Sequence, residues 1–136
     1  MQKSEIDKSR AFSISRETNN RFLKLPYSLF ANPKYTDMSL SAKVAYSLLR
    51  DRLTLSQKNG WVDENNLVYL IYSRQEMANF LNVGLKKITS VFQELLKYDL
   101  VFEVKRGLGK PNLIYVYDVE ISDGDEYDGA IEHLGR

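Results

Sequence analysis

The chain has 136 residues, room for one domain of ordinary size with a tail at either end. Its 43% apolar and 27% charged residues support a packed core and exclude wholesale disorder. The absence of Cys, with His133 as the single His, excludes disulfides, thiolate or zinc centres and His-dependent triads. No stretch approaches the roughly 20 apolar residues of a membrane helix. The N-terminal sequence MQKSEIDKSR also lacks the apolar run of a signal peptide, so a cytoplasmic protein with no membrane partner is expected.

The net charge of +1 conceals a split. Residues 1–117 hold 18 of the 19 Lys and Arg but 11 of the 18 Asp and Glu, a net +7, and residues 118–136 carry a net −6. A basic body favours a polyanionic partner, because a field of one sign concentrates ligands of the other.

Residues 1–20 are polar and aperiodic and are read as an N-terminal arm, leading into Arg21-Phe22-Leu23-Lys24-Leu25-Pro26. Ser39 then precedes Val44, Ala45, Leu48, Leu49 and Leu53 at helical spacing, with Lys43, Ser47 and Arg50 on the opposite side. The Ser39 hydroxyl suits an N-cap, and Asn59-Gly60 a stop. Trp61-Val62 and Leu67 to Tyr72 flank the turn cluster Asp63-Glu64-Asn65-Asn66, which predicts a short strand or hairpin.

Ser73-Arg74-Gln75-Glu76 fits a capping box and opens a second, short helix with Met77, Ala78, Phe80 and Leu81 inward. Asn82-Val83-Gly84 ends it. A third helix follows, with Ile88, Val91, Phe92, Leu95 and Leu96 on one face and Lys86, Lys87, Thr89, Ser90, Gln93 and Lys97 mostly on the other. Leu100 to Lys105 and Leu113 to Tyr117 read as strands joined by a glycine-rich basic tip, Arg106 to Asn112. From Asp118 the pattern fades into an acidic, flexible tail or linker, residues 118–136.

This order predicts an α+β, mostly helical winged helix-turn-helix over residues 21–117, with a small antiparallel sheet and a C-terminal hairpin wing. Two helices joined by so short a turn cross at a large angle, so the first braces the second and leaves one face of it outward. An α-helix fits the major groove of DNA, about 12 Å wide. Lys86 and Lys87 suit guanine acceptors or phosphates, Gln93 suits adenine, Thr89 and Ser90 suit either, and Lys97 extends the same polar face. At the hairpin, Arg106 and Lys110 flank Gly107, Leu108 and Gly109, as suits a wing lying on a phosphate backbone or in a minor groove. Ser73 and Arg74, opening the second helix, would offer amides and a cation to a phosphate. Against these readings stands the plain one: a polar helix face is what water touches, and a charged hairpin loop is soluble.

Other motifs fail. A phosphate loop needs Gly where Val104 stands and Ser or Thr where Pro111 stands. Asp123, Asp125 and Asp128 do not make a calcium loop, with Tyr127, Asp128 and Leu134 at its demanding positions. Tyr46, Tyr69, Phe92, Phe102 and Tyr115 fall at positions expected to face a core or half-buried sheet, which argues against base stacking on single strands. No nucleophile pairs with a base, so no enzyme, cofactor or metal is expected.

Phe22-Leu23-Lys24-Leu25-Pro26, Leu29-Phe30, Asn32-Pro33-Lys34-Tyr35 and Leu40-Ser41-Ala42-Lys43 resemble the N-terminal domain of the replication initiator A family of Gram-positive plasmids. Further resembling blocks are Asp51-Arg52-Leu53, Ser56, Lys58 to Asp63, Gly107 to Asn112 and Ile114-Tyr115-Val116, so the likeness covers about residues 21–117. It implies a winged helix that binds repeated double-stranded origin sites as a homodimer or higher homo-oligomer. Host replication proteins would be recruited only through a C-terminal domain, which this chain is expected to lack. A winged-helix transcription regulator repressing its own promoter, and a protein-interaction winged helix without DNA binding, remain as alternatives.

Overall fold

The structure, a computed structural model, describes residues 5–15 and 20–121. Residues 1–4 and 16–19 of the expected arm lie outside them, as do the acids from Asp123 to Glu132.

Helical structure begins earlier than the periodicity predicts. Ser28–Ala31 form α1, and a 3-10 turn, Pro33–Tyr35, follows at once. The Asn32 side chain accepts from the Lys34 amide at 3.0 Å, and Pro33 sits where a first-turn residue needs no amide hydrogen. Four residues are too few to display a 3.6-residue period. Leu29, Tyr35 and Met38 from this region are buried in the core.

Leu40–Lys58 form α2, capped by Ser39 as expected, whose hydroxyl accepts from the Ala42 amide at 3.1 Å. Lys43 and Ser47 depart from expectation: both are buried. Their side of α2 is covered by the segment that carries no period. The Lys43 ammonium lies 4.6 Å from the centre of the Phe30 ring, and Phe22 to Pro26 run beside Ser47 and Arg50. The Ser47 hydroxyl is satisfied within the helix, donating to the Lys43 carbonyl at 2.9 Å.

The predicted strand between Trp61 and Tyr72 pairs at two isolated positions, Val62 with Val68 and Leu70 with Ile114. Asp63 ties its turn down, accepting from the amides of Asn65 (2.8 Å) and Leu67 (3.0 Å) and from the Tyr115 hydroxyl (2.8 Å). These bonds, the Leu67 amide foremost, hold its carboxyl below the usual carboxylate range.

Arg74–Leu81 form α3, Leu85–Lys97 form α4, and Val101–Val104 (β1) pairs antiparallel with Leu113–Val116 (β2). In this register Val101 and Glu103 face inward and Phe102 faces outward, so Phe102 is exposed rather than half-buried as expected. Phe80 and Leu96 are likewise about half exposed, at the edges of their apolar stripes.

The chain does not leave the body at Tyr117. The Tyr46 hydroxyl donates to the Tyr117 carbonyl at 2.6 Å, and the Tyr35 hydroxyl accepts from the Glu120 amide at 2.9 Å. The Asn32 side chain donates to the Glu120 carbonyl at 2.9 Å, and ion pairs join Arg50 to Asp118 and Lys34 to Glu120. The acidic composition of residues 118–121 hides this strap, because its partners are supplied by α2 and the turn before it. Among the described residues, no helix is long and apolar enough to cross a membrane.

Burial pushes the Tyr46 phenol up to about 12. The folded state therefore holds this proton more tightly than the unfolded chain. The resulting stability is complete below pH ~10 and fades as pH rises toward ~12. Urea unfolding of Tyr46→Phe should show a loss of about 1 kcal/mol at neutral pH, from the missing hydrogen bond. That gap from wild type should narrow between pH ~10 and ~12, and a gap that holds constant there would count against the buried-donor role.

Candidate nucleic-acid interface

Three residues, Asn82 to Gly84, join α3 to α4. The left-handed residue of this turn is Asn82 (φ 60°), not Gly84. Asn is among the few residues with a side chain that visit this region readily, and the fold lets the Val83 amide reach the Ala78 carbonyl at 3.0 Å. Gly84 is extended (φ −81°, ψ 163°) and N-caps α4 without a side chain to do so.

Helix α4 packs Ile88, Val91, Phe92 and Leu95 into the core, against α2 and α3. The residues opposite them, Lys86, Ser90, Gln93 and Lys97, form one exposed line along the helix, about 16 Å long at 1.5 Å per residue. Lys87 lies to one side, at the rim of an apolar groove lined by Leu40, Val44 and Val83. Thr89 lies to the other; its hydroxyl donates to the Leu85 carbonyl at 3.1 Å and so faces solvent as an acceptor. The one acid of the helix, Glu94, is turned toward α2, accepting from the Ser39 amide at 2.8 Å and hydroxyl at 2.5 Å.

The wing tip is held by its own backbone. Gly107 (φ 95°) and Gly109 (φ 77°) take left-handed conformations that side chains resist. The Lys110 amide donates to the Gly107 carbonyl at 3.3 Å, and Arg106 braces the loop through Nε to the Pro111 carbonyl at 2.9 Å. Lys105 and Leu108 are exposed here as well, beside the expected Arg106, Gly107, Gly109 and Lys110.

At the start of α3 the geometry is more closed. Ser73 and Glu76 complete the capping box: the Ser73 hydroxyl accepts from the Glu76 amide and the Glu76 carboxylate from the Ser73 amide, both at 3.0 Å. The Arg74 guanidinium stacks 3.5 Å from the centre of the Phe92 ring and bonds to Glu103 Oε1 at 2.7 Å. Among the described residues, the ion pairs engage Arg21, Lys34, Arg50 and Arg74, and none engages the lysines of α4 or the wing. The cations with acid partners thus lie elsewhere, while α4 and the wing present positive charge to solvent.

Residues 21–128 match the family described as the replication initiator protein A (RepA) N-terminus. The chain belongs to this family. It is similar to a 41 kDa protein of Lactobacillus helveticus, 32% identical over 96% of this chain, and spans 40% of that relative's length. Among solved structures it resembles an N-terminal domain of a DNA binding protein, with TM-score 0.73 and 32% identity over 93% of this chain and 92% of that one. It resembles equally a Rep–DNA complex, with TM-score 0.73 and 32% identity over 93% of each chain. An MDR initiator is 38% identical with TM-score 0.71, over 93% of this chain and 99% of its own. At these identities the winged helix-turn-helix of α3, α4 and the β1–β2 hairpin is an architecture shared with the initiators.

Because Gly84 is extended and a Cβ there would meet nothing within 4 Å, replacing it costs no strain. Gly84→Ser supplies the missing cap and removes unfolded-state freedom, and should raise stability by about 0.5 kcal/mol in urea unfolding. Asn82→Val should do the reverse, losing about 1 to 2 kcal/mol at a left-handed site.

Proposed function

We propose that this domain is the DNA-binding N-terminal module of a plasmid replication initiator, recognising repeated double-stranded sites at the origin. It acts in the cytoplasm as a homodimer, by binding alone, with no catalytic centre and no cofactor of its own. Recruitment of host replication proteins falls to sequence that longer relatives carry beyond this domain.

The observation that carries this reading is the acid-free, exposed line Lys86, Ser90, Gln93 and Lys97 on a helix braced by α2 and α3, beside a cationic wing. A helix with its side chains is about 10–12 Å across, which matches the major groove. Inserted there, Gln93 addresses adenine through two hydrogen bonds, Lys86 addresses guanine or a phosphate, and Ser90 either partner. Thr89 contributes an acceptor and its methyl group. Lys97, at the far end of the line, and Lys87, at its side, are placed for phosphates. Arg106 and Lys110 fix the wing to the backbone, where each neutralised phosphate releases counterions. The likeness to a Rep–DNA complex supports DNA as the partner.

Two measurements test it. Gln93→Ala should weaken binding to a repeat-containing origin fragment by about 1 to 3 kcal/mol and leave binding to a scrambled duplex nearly unchanged. Equal affinities of wild type and variant for the origin fragment would remove α4 as the reader. Replacing Arg106 and Lys110 together by Ala should make the plot of log affinity against log salt shallower by about two units on any duplex, and an unaltered slope would take the wing off the DNA.

A further inference from the structure

Glu103 occupies a position that suits an apolar residue. It is on the inward side of β1, directly opposite buried Ile114 and two residues beyond buried Val101, and its side chain is only 10% exposed. A carboxylate in such a place is costly unless bonded, and it is bonded on both oxygens by different elements. Oε1 accepts from Arg74 of α3 at 2.7 Å, and Oε2 faces the side-chain amide of Asn112, at the base of the wing loop, at 3.4 Å. Arg74 is in turn stacked on Phe92 of α4. One short chain of contacts therefore runs from the bracing helix and the reader helix, through a single acid, into the wing.

The other bonds between hairpin and body fall on β2, where Leu70 and Ile114 exchange backbone hydrogen bonds at 2.7 and 2.9 Å and the Tyr115 hydroxyl donates to Asp63 at 2.8 Å; on β1, Glu103 is what ties the strand to α3. The sheet of the hairpin has two strands of four residues, and its tip, from Lys105 to Pro111, is exposed throughout. We propose that Arg74 and Glu103 are positioning residues that hold the wing at a fixed angle to α4, so that reader helix and wing meet the duplex together. Arg74 then serves DNA binding through Glu103, not by touching a phosphate. This inference rests on the DNA-binding reading for its purpose, but the clamp has a signature of its own.

The test has two arms, both on the full chain. The protein contains no Cys, so spin labels can be placed cleanly at Ser90→Cys on α4 and Leu108→Cys at the wing tip, with unlabelled protein in excess to suppress signals between subunits. Without DNA, the distance distribution should be narrow in the otherwise native chain and broad when Glu103→Gln or Arg74→Lys is added. Distributions that stay narrow in both variants overturn the clamp.

The second arm measures affinity for a mixed-sequence duplex of about 30 base pairs across a salt series. Removing an acid near a polyanion should tighten binding if Glu103 acts only through its charge. The clamp requires the opposite sign: Glu103→Gln should bind about three- to tenfold more weakly, with a salt slope shallower by about one unit. Tighter or unchanged binding overturns the proposal. A wild-type chain that ignores the duplex would defeat the DNA-binding reading instead, and the label distances would still decide the clamp.

Discussion

The inward face of α4 settles the orientation of everything functional in this domain. Burying Ile88, Val91, Phe92 and Leu95 removes four large apolar side chains from water, each worth about 1.5 to 3 kcal/mol. Because the helix has 3.6 residues per turn, that burial also sets its rotation: a slip of one residue would turn it by 100° and carry Lys86 and Gln93 off the outward line. Glu94 adds a polar lock, bonded twice to Ser39 at the head of α2. The two charge-assisted bonds also stop the helix from sliding along its axis.

The wing depends on a different kind of interaction. Beyond Val101 and Ile114 the hairpin buries little, so dispersion and hydrophobic burial fix only its root. Directional bonds do the rest: Leu70 with Ile114 and Asp63 with Tyr115 on β2, Arg74 with Glu103 between α3 and β1, and Arg106 with the Pro111 carbonyl inside the loop. An apolar residue at position 103 would pack, but it would not specify an angle, because apolar contacts are non-directional. A carboxylate caught between two donors specifies one.

The long periodic elements were legible in the sequence. α2, α3 and α4 stand where spacing, the Ser39 cap and the Ser73 capping box place them, and the hairpin strands differ from expectation by at most one residue at an end. What escaped reading was local in size but not in effect. α1 and the stretch before it are too short or aperiodic to carry a period, yet Phe30 lies over Lys43 and Phe22 to Pro26 run beside Ser47, turning two apparently solvated residues into buried ones. The strap at residues 118–121 reads as acidic linker because its hydrogen-bond partners, Asn32, Tyr35 and Tyr46, lie more than 70 residues away in sequence or supply only a hydroxyl. In the site, the outward lysines and Gln93 of α4 were readable from the helical wheel. Glu103 was not, since with Phe102 expected to face the core or sheet, alternation turns Glu103 outward, and its meaning depends on Arg74, 29 residues earlier.

The distribution of partnered charge gives the basic body a direction. Arg21, Lys34 and Arg50 are paired with Asp51, Glu120 and Asp118 around α2 and the strap, so their fields are largely cancelled a few ångströms away. Exposed pairs of this kind add little stability, commonly ~0–1 kcal/mol, so their consequence is electrostatic more than energetic. A cation already neutralised by a carboxylate has little counterion atmosphere to release on meeting a phosphate, whereas Lys86, Lys87, Lys97, Lys105 and Lys110 have no such pairing among the described residues. Among the described residues, Asp51, Glu103, Asp118 and Glu120 sit against cations away from the exposed line of α4 and the wing tip, so the lysines there keep their charge. That sorting leaves α4 and the wing tip as a cationic surface for a polyanion in a chain whose net charge is +1.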